Sequence, residues 1–331
     1  MILSRAPVRF SLGGGGTDLP SYSKVHGGFL VASAIDKYVF IAIHKRFDEL
    51  IRLSYSKTEI VKELAEIEHP IFREALQLAK VEKGIELFSM ADVPANSGLG
   101  SSSTFTVALL NALHAYKREY LSTGDLAEAA CSLEIDRLKE PIGKQDQYIA
   151  AYGGVTAFTF NKDGTVVAER VNVAPETLDE LESNLLIFFS GVERRASSVL
   201  KEQAKTITAN ADDAVNRMHR IKEMGYETKR YLERGEVDKF GDLLHEHWMN
   251  KRQLASNMSD SNLDEHYEAA RKAGAIGGKI MGAGGGGFFM FYTRPGDKRR
   301  VYEAMKARGL RQLRFRFDHD GARIQLNVHT S

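Results

Sequence analysis

One short stretch of the sequence, PANSGLGSSSTF at residues 94–105, constrains the fold and the function most strongly. It follows residues 85–94, whose alternating apolar positions predict a strand, and it precedes apolar residues at helical spacing from Phe105 to Tyr116. A glycine loop between a strand and a helix presents the unpaired N–H groups of the first helical turn, which bind anions. A serine in this position can also simply cap the helix. The stretch alone is therefore compatible with a phosphate site and with an ordinary helix cap.

The chain contains two further glycine-rich stretches, GGGGTD at residues 13–18 and GGKIMGAGGGG at residues 277–287. Glycine permits positive φ and lets a ligand approach the backbone closely. The second of these stretches is not a Walker A loop, since Lys279 is followed by Ile280 and Ala273 stands where the first glycine is required. It is not a dinucleotide-binding motif either, because its glycines precede a predicted strand instead of following one. Three glycine loops in one chain, each beside a strand or a helix, favour a role in ligand binding over a role as simple turns.

Composition restricts the class of protein. The 331 residues suggest two domains, which we place at residues 1–180 and 181–331 because residues 175–184 are polar and contain a proline. The formal net charge of +1 predicts neither a nucleic-acid partner nor a membrane surface. No apolar run approaches the ~20 residues that span a bilayer, and the single cysteine, Cys131, fits a reducing compartment. We therefore expect a cytoplasmic monomer or homodimer that binds no nucleic acid and no membrane.

The hydrophobic pattern predicts the remaining elements. A second helix begins with a capping box at Asp125, a hairpin turns near Gly164, and residues 194–273 are mostly helical. We expect the last two strands of the chain to flank a turn at residues 320–321. The predicted strands cover residues 39–43, 153–160, 165–173, 185–190, 287–292, 313–317 and 323–328, and a helix covers residues 297–308.

The three glycine stretches resemble the motifs of the GHMP kinases. PANSGLGSSSTF is similar to their P-x-x-x-G-L-G-S-S-x loop, RAPVRFSLGGGGTD to their N-terminal substrate motif, and KIMGAGGGGFFMF to their C-terminal glycine loop. The three stretches stand in the order of the family and cover the chain from end to end. Within the family, RFSLGGGGTDLPSY and EPIGKQDQYIAAYGG most resemble the bacterial D-glycero-D-manno-heptose 7-phosphate kinases, followed by the L-fucokinase-like sugar kinases.

The resemblance implies a two-domain α+β fold. The N-terminal domain is expected to be similar to domain 2 of ribosomal protein S5, and the C-terminal domain to be ferredoxin-like, with the site between them. The resemblance also implies that the loop of the opening stretch wraps the phosphates of ATP. The expected nucleotide-binding residues are Asn96, Ser97, Gly98, Leu99, Gly100, Ser101, Ser102 and Ser103.

The resemblance also implies metal-binding and catalytic roles. It places the Mg²⁺ carboxylate on the second predicted helix at Glu134, with Ser102 or Ser103 as the hydroxyl ligand, although a carboxylate at the edge of an apolar stripe is more commonly solvated. Asp146 matches the catalytic aspartate of the family, whereas the alternative for an aspartate here is a helix cap. Lys144 either depresses the pKa of Asp146, contacts a phosphate, or is an ordinary surface lysine.

The first and third glycine loops form the expected substrate end. Asp18 fits a carboxylate that accepts hydrogen bonds from two sugar hydroxyls, with assistance from Thr17. A phosphate on the substrate needs cations of its own, and Arg194, Arg195 and Lys279 are candidates, with solvated surface charge as their alternative. The expected substrate-binding residues are Arg9, Gly14, Gly15, Gly16, Thr17, Asp18, Lys144, Arg194, Arg195, Gly282 and Gly284.

The resemblance implies a sugar-1-kinase that uses ATP and Mg²⁺. Asp146, with Arg9 and Lys144 as further catalytic residues, is expected to direct or accept the proton of the anomeric hydroxyl of D-glycero-D-manno-heptose 7-phosphate. The product is then the 1,7-bisphosphate, for surface polysaccharide precursors of the GDP-heptose type. One alternative is an L-fucokinase- or galactokinase-like enzyme for a free sugar, although galactokinases usually carry an acidic–His-x-Asp signature where this chain has residues 15–18. Another alternative is a catalytically silent sensor that binds ATP and a sugar.

Overall fold

The computed structural model describes residues 1–192, 196–208, 212–254, 259 and 261–328. The described strands form two separate sheets, each packed with helices. The fold is therefore of the α+β class, as predicted. Within the described ranges, every helix is too short or too polar to cross a membrane.

The first domain is built on the larger sheet, in which β1 and β2 are central. The strands of this sheet are β1 (Ile2–Gly13), β2 (Gly28–Lys45), β3 (Ile51–Ser54), β4 (Thr58–Val61), β5 (Ile85–Ala91), β6 (Val155–Phe160), β7 (Val166–Arg170) and β12 (Arg323–Asn327). The helices of the domain are α1 (Pro20–His26), α2 (Pro70–Ala79), α3 (Ser101–Tyr116), α4 (Thr123–Cys131) and α5 (Gln145–Tyr152), with a 3₁₀ turn at Leu64–Glu66 and a π-helical turn at Ser132–Arg137. The sheet order is β12-β1-β2-β5-β3-β4, and β6 and β7 extend from β2. The pairing of β6 with β7 confirms the hairpin near Gly164.

The second domain is built on the smaller sheet, whose strand order is β11-β8-β10-β9. Numbered along the chain, these strands lie in the order 4-1-3-2, with helices after the first and the third, which is the ferredoxin-like arrangement that we expected. The elements of this part of the chain are α6 (Pro175–Asn184), β8 (Leu185–Phe189), α7 (Ala196–Thr208), α8 (Asp212–Glu233), α9 (Val237–Lys251), α10 (Ser261–Lys272), β9 (Ala275–Ile280), β10 (Phe288–Thr293), α11 (Lys298–Lys306) and β11 (Arg311–Leu313).

The last two strands do not pair with each other, in contrast to the predicted strands around residues 320–321. β11 pairs with β8 in the smaller sheet, whereas β12 crosses back and pairs with β1 in the larger sheet. Residues 323–327, which we assigned to the second domain, therefore belong to the sheet of the first. Alternating hydrophobicity identifies a strand but leaves its partner open, because the pattern describes the two faces of the strand and not the edges at which it pairs.

A shared hydrophobic cluster joins the two domains. Phe10 and Leu99 of the first domain are buried in one cluster with Phe240 and Met281 of the second. The Lys279 ammonium also crosses the junction and donates a hydrogen bond to the carbonyl of Leu12 at 3.2 Å. This packing brings the loop between β5 and α3 against the loop between β9 and β10.

Candidate active site

A cavity of about 400 Å³ lies where the glycine loops of the two domains meet. Its walls carry carboxylates, hydroxyls and backbone groups from both domains. The lining includes many of the predicted site residues, namely Arg9, Gly16, Asp18, Asn96, Gly98, Gly100, Ser101, Ser102, Ser103, Glu134, Asp146 and Gly282. The structure therefore gathers most of the residues singled out in the sequence around one cleft.

The first turn of α3 opens into this cleft. Gly100, with φ +77°, occupies the N-cap position, and the first α-helical hydrogen bond runs from the Thr104 N–H to its carbonyl at 2.9 Å. The interpretation of the serines as helix caps is therefore wrong, and the Ser101 hydroxyl instead donates to the carbonyl of Pro94 at 3.4 Å. The N–H groups of residues 101–103 precede that first helical bond, so this end of the helix carries unpaired donors and partial positive charge.

Leu99 differs from the other residues of the loop. Its side chain is fully buried in the shared hydrophobic cluster, so it anchors the loop to the junction of the two domains. At the site it presents only its backbone, and its carbonyl accepts a hydrogen bond from the Arg9 N–H at 3.0 Å. Its neighbour Ser97 is equally buried.

The glycine loops of the two domains touch each other. Gly98 has φ +81° and Gly282 has φ +73°, conformations that other residues seldom adopt. A Cβ atom on Gly98 would lie 2.7 Å from the carbonyl oxygen of Met281, and one on Gly282 would lie 2.7 Å from the carbonyl oxygen of Gly98. Both positions therefore require glycine, which explains two of the glycines in the sequence motifs.

Glu134 is buried beside the start of α3. The carboxylate lies on the π-helical turn that extends α4 and is only 2% exposed, so its interpretation as a solvated flank is wrong. It accepts a hydrogen bond from Gln147 Nε2 at 2.5 Å, and the Ser103 hydroxyl also hydrogen-bonds to it. Burial raises the pKa of Glu134 to about 7. Ser103 is buried with Glu134, whereas Ser102 is exposed at the mouth of the cleft.

Arg9 and Asp146 form a bidentate ion pair in the cleft. Arg9 Nε and Nη2 donate to the two carboxylate oxygens of Asp146 at 2.8 and 2.9 Å, and Nη1 donates to the carbonyl of Gly98. The N-cap of α5 is Lys144, and the Asp146 oxygens bond to Arg9, so the interpretation of Asp146 as a helix cap is wrong. The two parallel hydrogen bonds fix the orientation of the Asp146 carboxylate, and Arg9 connects this carboxylate to the loop before α3.

Asp18 provides a second carboxylate in the lining of the same cavity. It is 3% exposed and accepts hydrogen bonds from the backbone N–H of Gln145 at 3.1 Å and from the side-chain amide of Gln145 at 3.4 Å. Burial raises the pKa of Asp18 to about 6, assisted by the nearby negative charge of Asp146. Asp18 and Asp146 thus lie near each other in the cleft.

The other residues of the first glycine loop support Asp18 from behind. The Thr17 hydroxyl donates to the carbonyls of Gly14 and Phe29 and accepts from the Phe29 N–H, so it is engaged by the backbone and not turned to the cleft. Gly14 packs on β2, and Gly15 packs against Ser11. Of the three glycines of this loop that we expected at the substrate, Gly16 lines the cavity.

Two of the predicted cations, Lys144 and Lys279, do not line the cavity. Lys144 Nζ lies 2.9 Å from both carboxylate oxygens of Glu128 and 2.9 Å from the carbonyl of Gly164, which holds it away from Asp146. Lys279 is engaged by Leu12 at the domain junction, as described above. Gly284, a predicted substrate-binding glycine, has φ +100° in the third glycine loop and does not line the cavity. Arg194 and Arg195 lie outside the described residues.

Sequence reasoning missed Lys251, which lines the cavity from the last turn of α9. Its side chain is buried, and its ammonium donates a hydrogen bond to the carbonyl of Gly282. Burial lowers its pKa to about 8. A signal was present in the sequence, because Lys251 follows Phe240, Leu244 and Trp248 at the spacing of one apolar helix face. A charged residue on such a face is unusual unless it has a partner.

Comparison with known proteins identifies the family. The model of the GHMP kinases N terminal domain matches residues 70–154, and the model of the GHMP kinases C terminal domain matches residues 228–310. A D-glycero-alpha-D-manno-heptose 7-phosphate kinase from Campylobacter jejuni is 28% identical over 317 residues, which cover 92% of this chain and 93% of that protein. The crystal structure of a D-glycero-D-manno-heptose 1-phosphate kinase from Bacteroides thetaiotaomicron superposes with a TM-score of 0.84 at 26% identity, and all of both chains is covered.

A more distant relative has two activities. An L-fucokinase/L-fucose-1-P guanylyltransferase from Bacteroides fragilis is 26% identical over 332 residues, covering 89% of this chain but 35% of that protein. The fold and the cleft define an enzyme of the phosphotransferase class, with sugar kinases among its relatives. The chain belongs to the GHMP kinase family.

Proposed function

We propose that the chain is an ATP-dependent kinase that phosphorylates the anomeric hydroxyl of D-glycero-D-manno-heptose 7-phosphate and forms the 1,7-bisphosphate. The observation that carries this proposal is the Arg9–Asp146 pair, which lines one cavity together with the anion-binding end of α3 and the second carboxylate, Asp18. The relatives named above support a heptose phosphate as the substrate. The product would enter the synthesis of GDP-heptose for surface polysaccharides.

Asp146 acts as the group that directs or accepts the proton of the attacking hydroxyl. Arg9 occupies one side of its carboxylate, and 23% of the Asp146 side chain stays exposed towards the cleft, where a hydroxyl has access. The unpaired N–H groups at the start of α3 bind the phosphates and stabilise the negative charge that develops during transfer. Asp146, which orients the nucleophile, and the loop that binds the phosphates are thus connected, because Arg9 bonds both to Asp146 and to the carbonyl of Gly98.

Asp18 positions the sugar. An ionised carboxylate accepts hydrogen bonds from two neighbouring hydroxyls, and Asp18 is fixed for this by the two hydrogen bonds from Gln145. This proposal also retains Arg194 and Arg195 as the residues that bind the 7-phosphate of the substrate.

The residues around Glu134 fit a magnesium ion. A buried carboxylate and the hydroxyl of Ser103 are oxygen donors, which Mg²⁺ prefers, and the side-chain carbonyl oxygen of Gln147 is buried there without a hydrogen-bond partner among the described residues. Glu134 and Ser103 would hold the ion, and Ser102 stays an alternative hydroxyl ligand. Such an ion would neutralise the phosphates of bound ATP.

The test is a panel of sugars assayed for ADP release with Mg-ATP. The panel contains D-glycero-D-manno-heptose 7-phosphate, the unphosphorylated heptose, mannose, L-fucose and galactose. We expect turnover confined to the phosphorylated heptose. Turnover of L-fucose or another free sugar alone would contradict the proposed substrate but would still agree with the proposed phosphoryl transfer. Nucleotide binding without any turnover would instead favour a sensor.

A further inference from the structure

A buried ammonium group lies in the cleft without an anionic partner. Lys251 is 7% exposed, and its one hydrogen-bond acceptor among the described residues is the carbonyl of Gly282. Within the same part of the chain, no carboxylate lies within ion-pair distance of its ammonium. Burying a charge is costly unless it is paired, so such an arrangement is expected where an anion arrives with a ligand.

The position of Lys251 indicates which anion this is. Its ammonium is bonded to Gly282, which touches Gly98, and the carbonyl of Gly98 in turn accepts the Arg9 guanidinium. Arg9 is therefore hydrogen-bonded to the Gly98 loop and Lys251 to the Gly282 loop, and these two loops touch each other. Arg9 is already engaged by Asp146, whereas the ammonium of Lys251 retains two N–H donors beyond the one used by Gly282.

We propose that Lys251 is a further catalytic residue, whose ammonium donates hydrogen bonds to the phosphoryl group in transfer. This inference rests on the proposed phosphoryl transfer from ATP. In that step the bond between the γ-phosphorus and its bridging oxygen breaks, the bond from the sugar oxygen to the phosphorus forms, and the hydroxyl proton passes to Asp146. Lys251 keeps its protons throughout and offsets the charge on the equatorial oxygens, while ADP leaves with the bridging electron pair.

The charge balance of the cleft supports this role. Asp18 and Asp146 act on Lys251 electrostatically without touching it, and Arg9 opposes their effect. Burial lowers the pKa of Lys251 only to about 8, so the ammonium is the main form at neutral pH. An arriving phosphoryl group would therefore meet a preformed, water-poor cation, which is the condition under which such a contact is strong.

The experiment compares K251M, which keeps the length of the side chain and removes its charge, with K251R, which keeps the charge. Lys222→Met is the matched control, because Lys222 also donates to backbone carbonyls, those of His26 and Gly27, and does not line the cleft. For each protein we would measure kcat and both KM values with the sugar that the wild type turns over. Calorimetry would give the affinities for a non-hydrolysable ATP analogue and for ADP with aluminium fluoride and the sugar.

We expect K251M to lower kcat by about 10²–10³-fold, with both KM values changed less than about threefold. Binding of the ADP–aluminium fluoride complex should weaken by a similar factor, while the ATP analogue binds as before. K251R should recover most of the lost kcat, and Lys222→Met should behave as the wild type. Removing a buried unpaired charge should leave the melting temperature of K251M unchanged or higher.

Two results would overturn this role. A rise in the KM of a phosphorylated sugar at unchanged kcat would assign Lys251 to the phosphate of the substrate instead. A loss of kcat accompanied by a lower melting temperature and unchanged aluminium fluoride binding would assign it to the structure of the Gly282 loop. If the wild type turns over no sugar of the panel, the proposed function fails, and the affinities of K251M for the ATP analogue and for ADP with aluminium fluoride, measured again without the sugar, still decide whether Lys251 contacts the phosphoryl group.

Discussion

Arg9 and Asp146 illustrate how single residues set the chemistry of the cleft. The guanidinium occupies both oxygens of the carboxylate on one side, so Asp146 keeps one orientation and offers its remaining lone pairs to the cleft. Arg9 itself is 3% exposed and also bonded to the carbonyl of Gly98, which limits its freedom to follow the substrate. A change at Asp146 should therefore affect proton transfer more than the packing of the site.

Asp146→Asn should lower kcat by about 10²–10⁴-fold, because the amide cannot accept the hydroxyl proton. The side chain keeps its size, so the affinities for nucleotide and sugar should change little. The measurement is ADP release for kcat, with calorimetry for binding. Asp163→Asn is the control, since Asp163 accepts hydrogen bonds from Thr165 at the exposed hairpin turn, and this variant should retain full activity. Full turnover by Asp146→Asn would exclude Asp146 as the base.

Asp18→Asn should stabilise the protein at high pH. Burial raises the pKa of Asp18 from 3.8 to about 6, so the folded state binds the proton more tightly than the unfolded state does. Stability therefore falls as the pH rises through this interval, and above it the buried charge costs on the order of 3 kcal/mol, at about 1.4 kcal/mol per pKa unit. Thermal unfolding should show Asp18→Asn more stable than the wild type at pH 8 and nearly equal at pH 4.

The opposite outcome for Asp18 is equally measurable. An equal or lower stability of Asp18→Asn at pH 8 would mean that the hydrogen bonds from Gln145 outweigh the cost of burying the charge. In either case we expect weaker sugar binding, because the amide replaces an acceptor for a second hydroxyl. A gain in stability together with a loss of sugar binding is the pattern expected of a residue that serves function at a cost in stability.

At the scale of elements, the contact between two glycine loops organises the site. Sequence order alone predicted the strand, loop and helix around Gly98, since the start of a helix is a local property of the chain. The contact of Gly98 with Gly282 joins residues that are far apart in the sequence, and no local pattern encodes it. The same holds for Lys251, because its place on an apolar helix face can be read from the sequence, whereas its hydrogen bond to Gly282 cannot.

Gly98→Ala should separate the two loops. Alanine at φ +81° is strained by about 1–2 kcal/mol, and its Cβ would in addition lie 2.7 Å from the carbonyl oxygen of Met281. Gly309→Ala is the matched control, because Gly309 has φ +78° and no described residue lies within 4 Å of its Cβ position. Thermal unfolding and titration with an ATP analogue should show a larger loss of stability for Gly98→Ala, and nucleotide affinity lost in that variant alone. Equal effects of the two substitutions would mean that the loop contact is unimportant.

At the scale of the whole molecule, the two domains are not independent. The resemblance carried by the three motifs implied a two-domain fold with the site between the domains, and the structure brings residues of all three motifs to one cavity. The division at residue 180 was less accurate, since β12 returns from the end of the chain to pair with β1. Pairing between strands some 320 residues apart depends on the completed fold and leaves no trace in local periodicity.

A fragment of residues 1–180 should therefore fail to fold on its own. It lacks β12 at the free edge of β1, and it exposes Phe10 and Leu99, which are buried in one cluster with Phe240 and Met281 in the intact chain. Circular dichroism should show a single cooperative thermal transition for the full chain and none for the fragment. Adding residues 181–331 as a separate chain should restore the transition, because it supplies both the second half of the cluster and β12. A cooperative transition of the fragment alone would mean that the shared core is an interface between two autonomous domains.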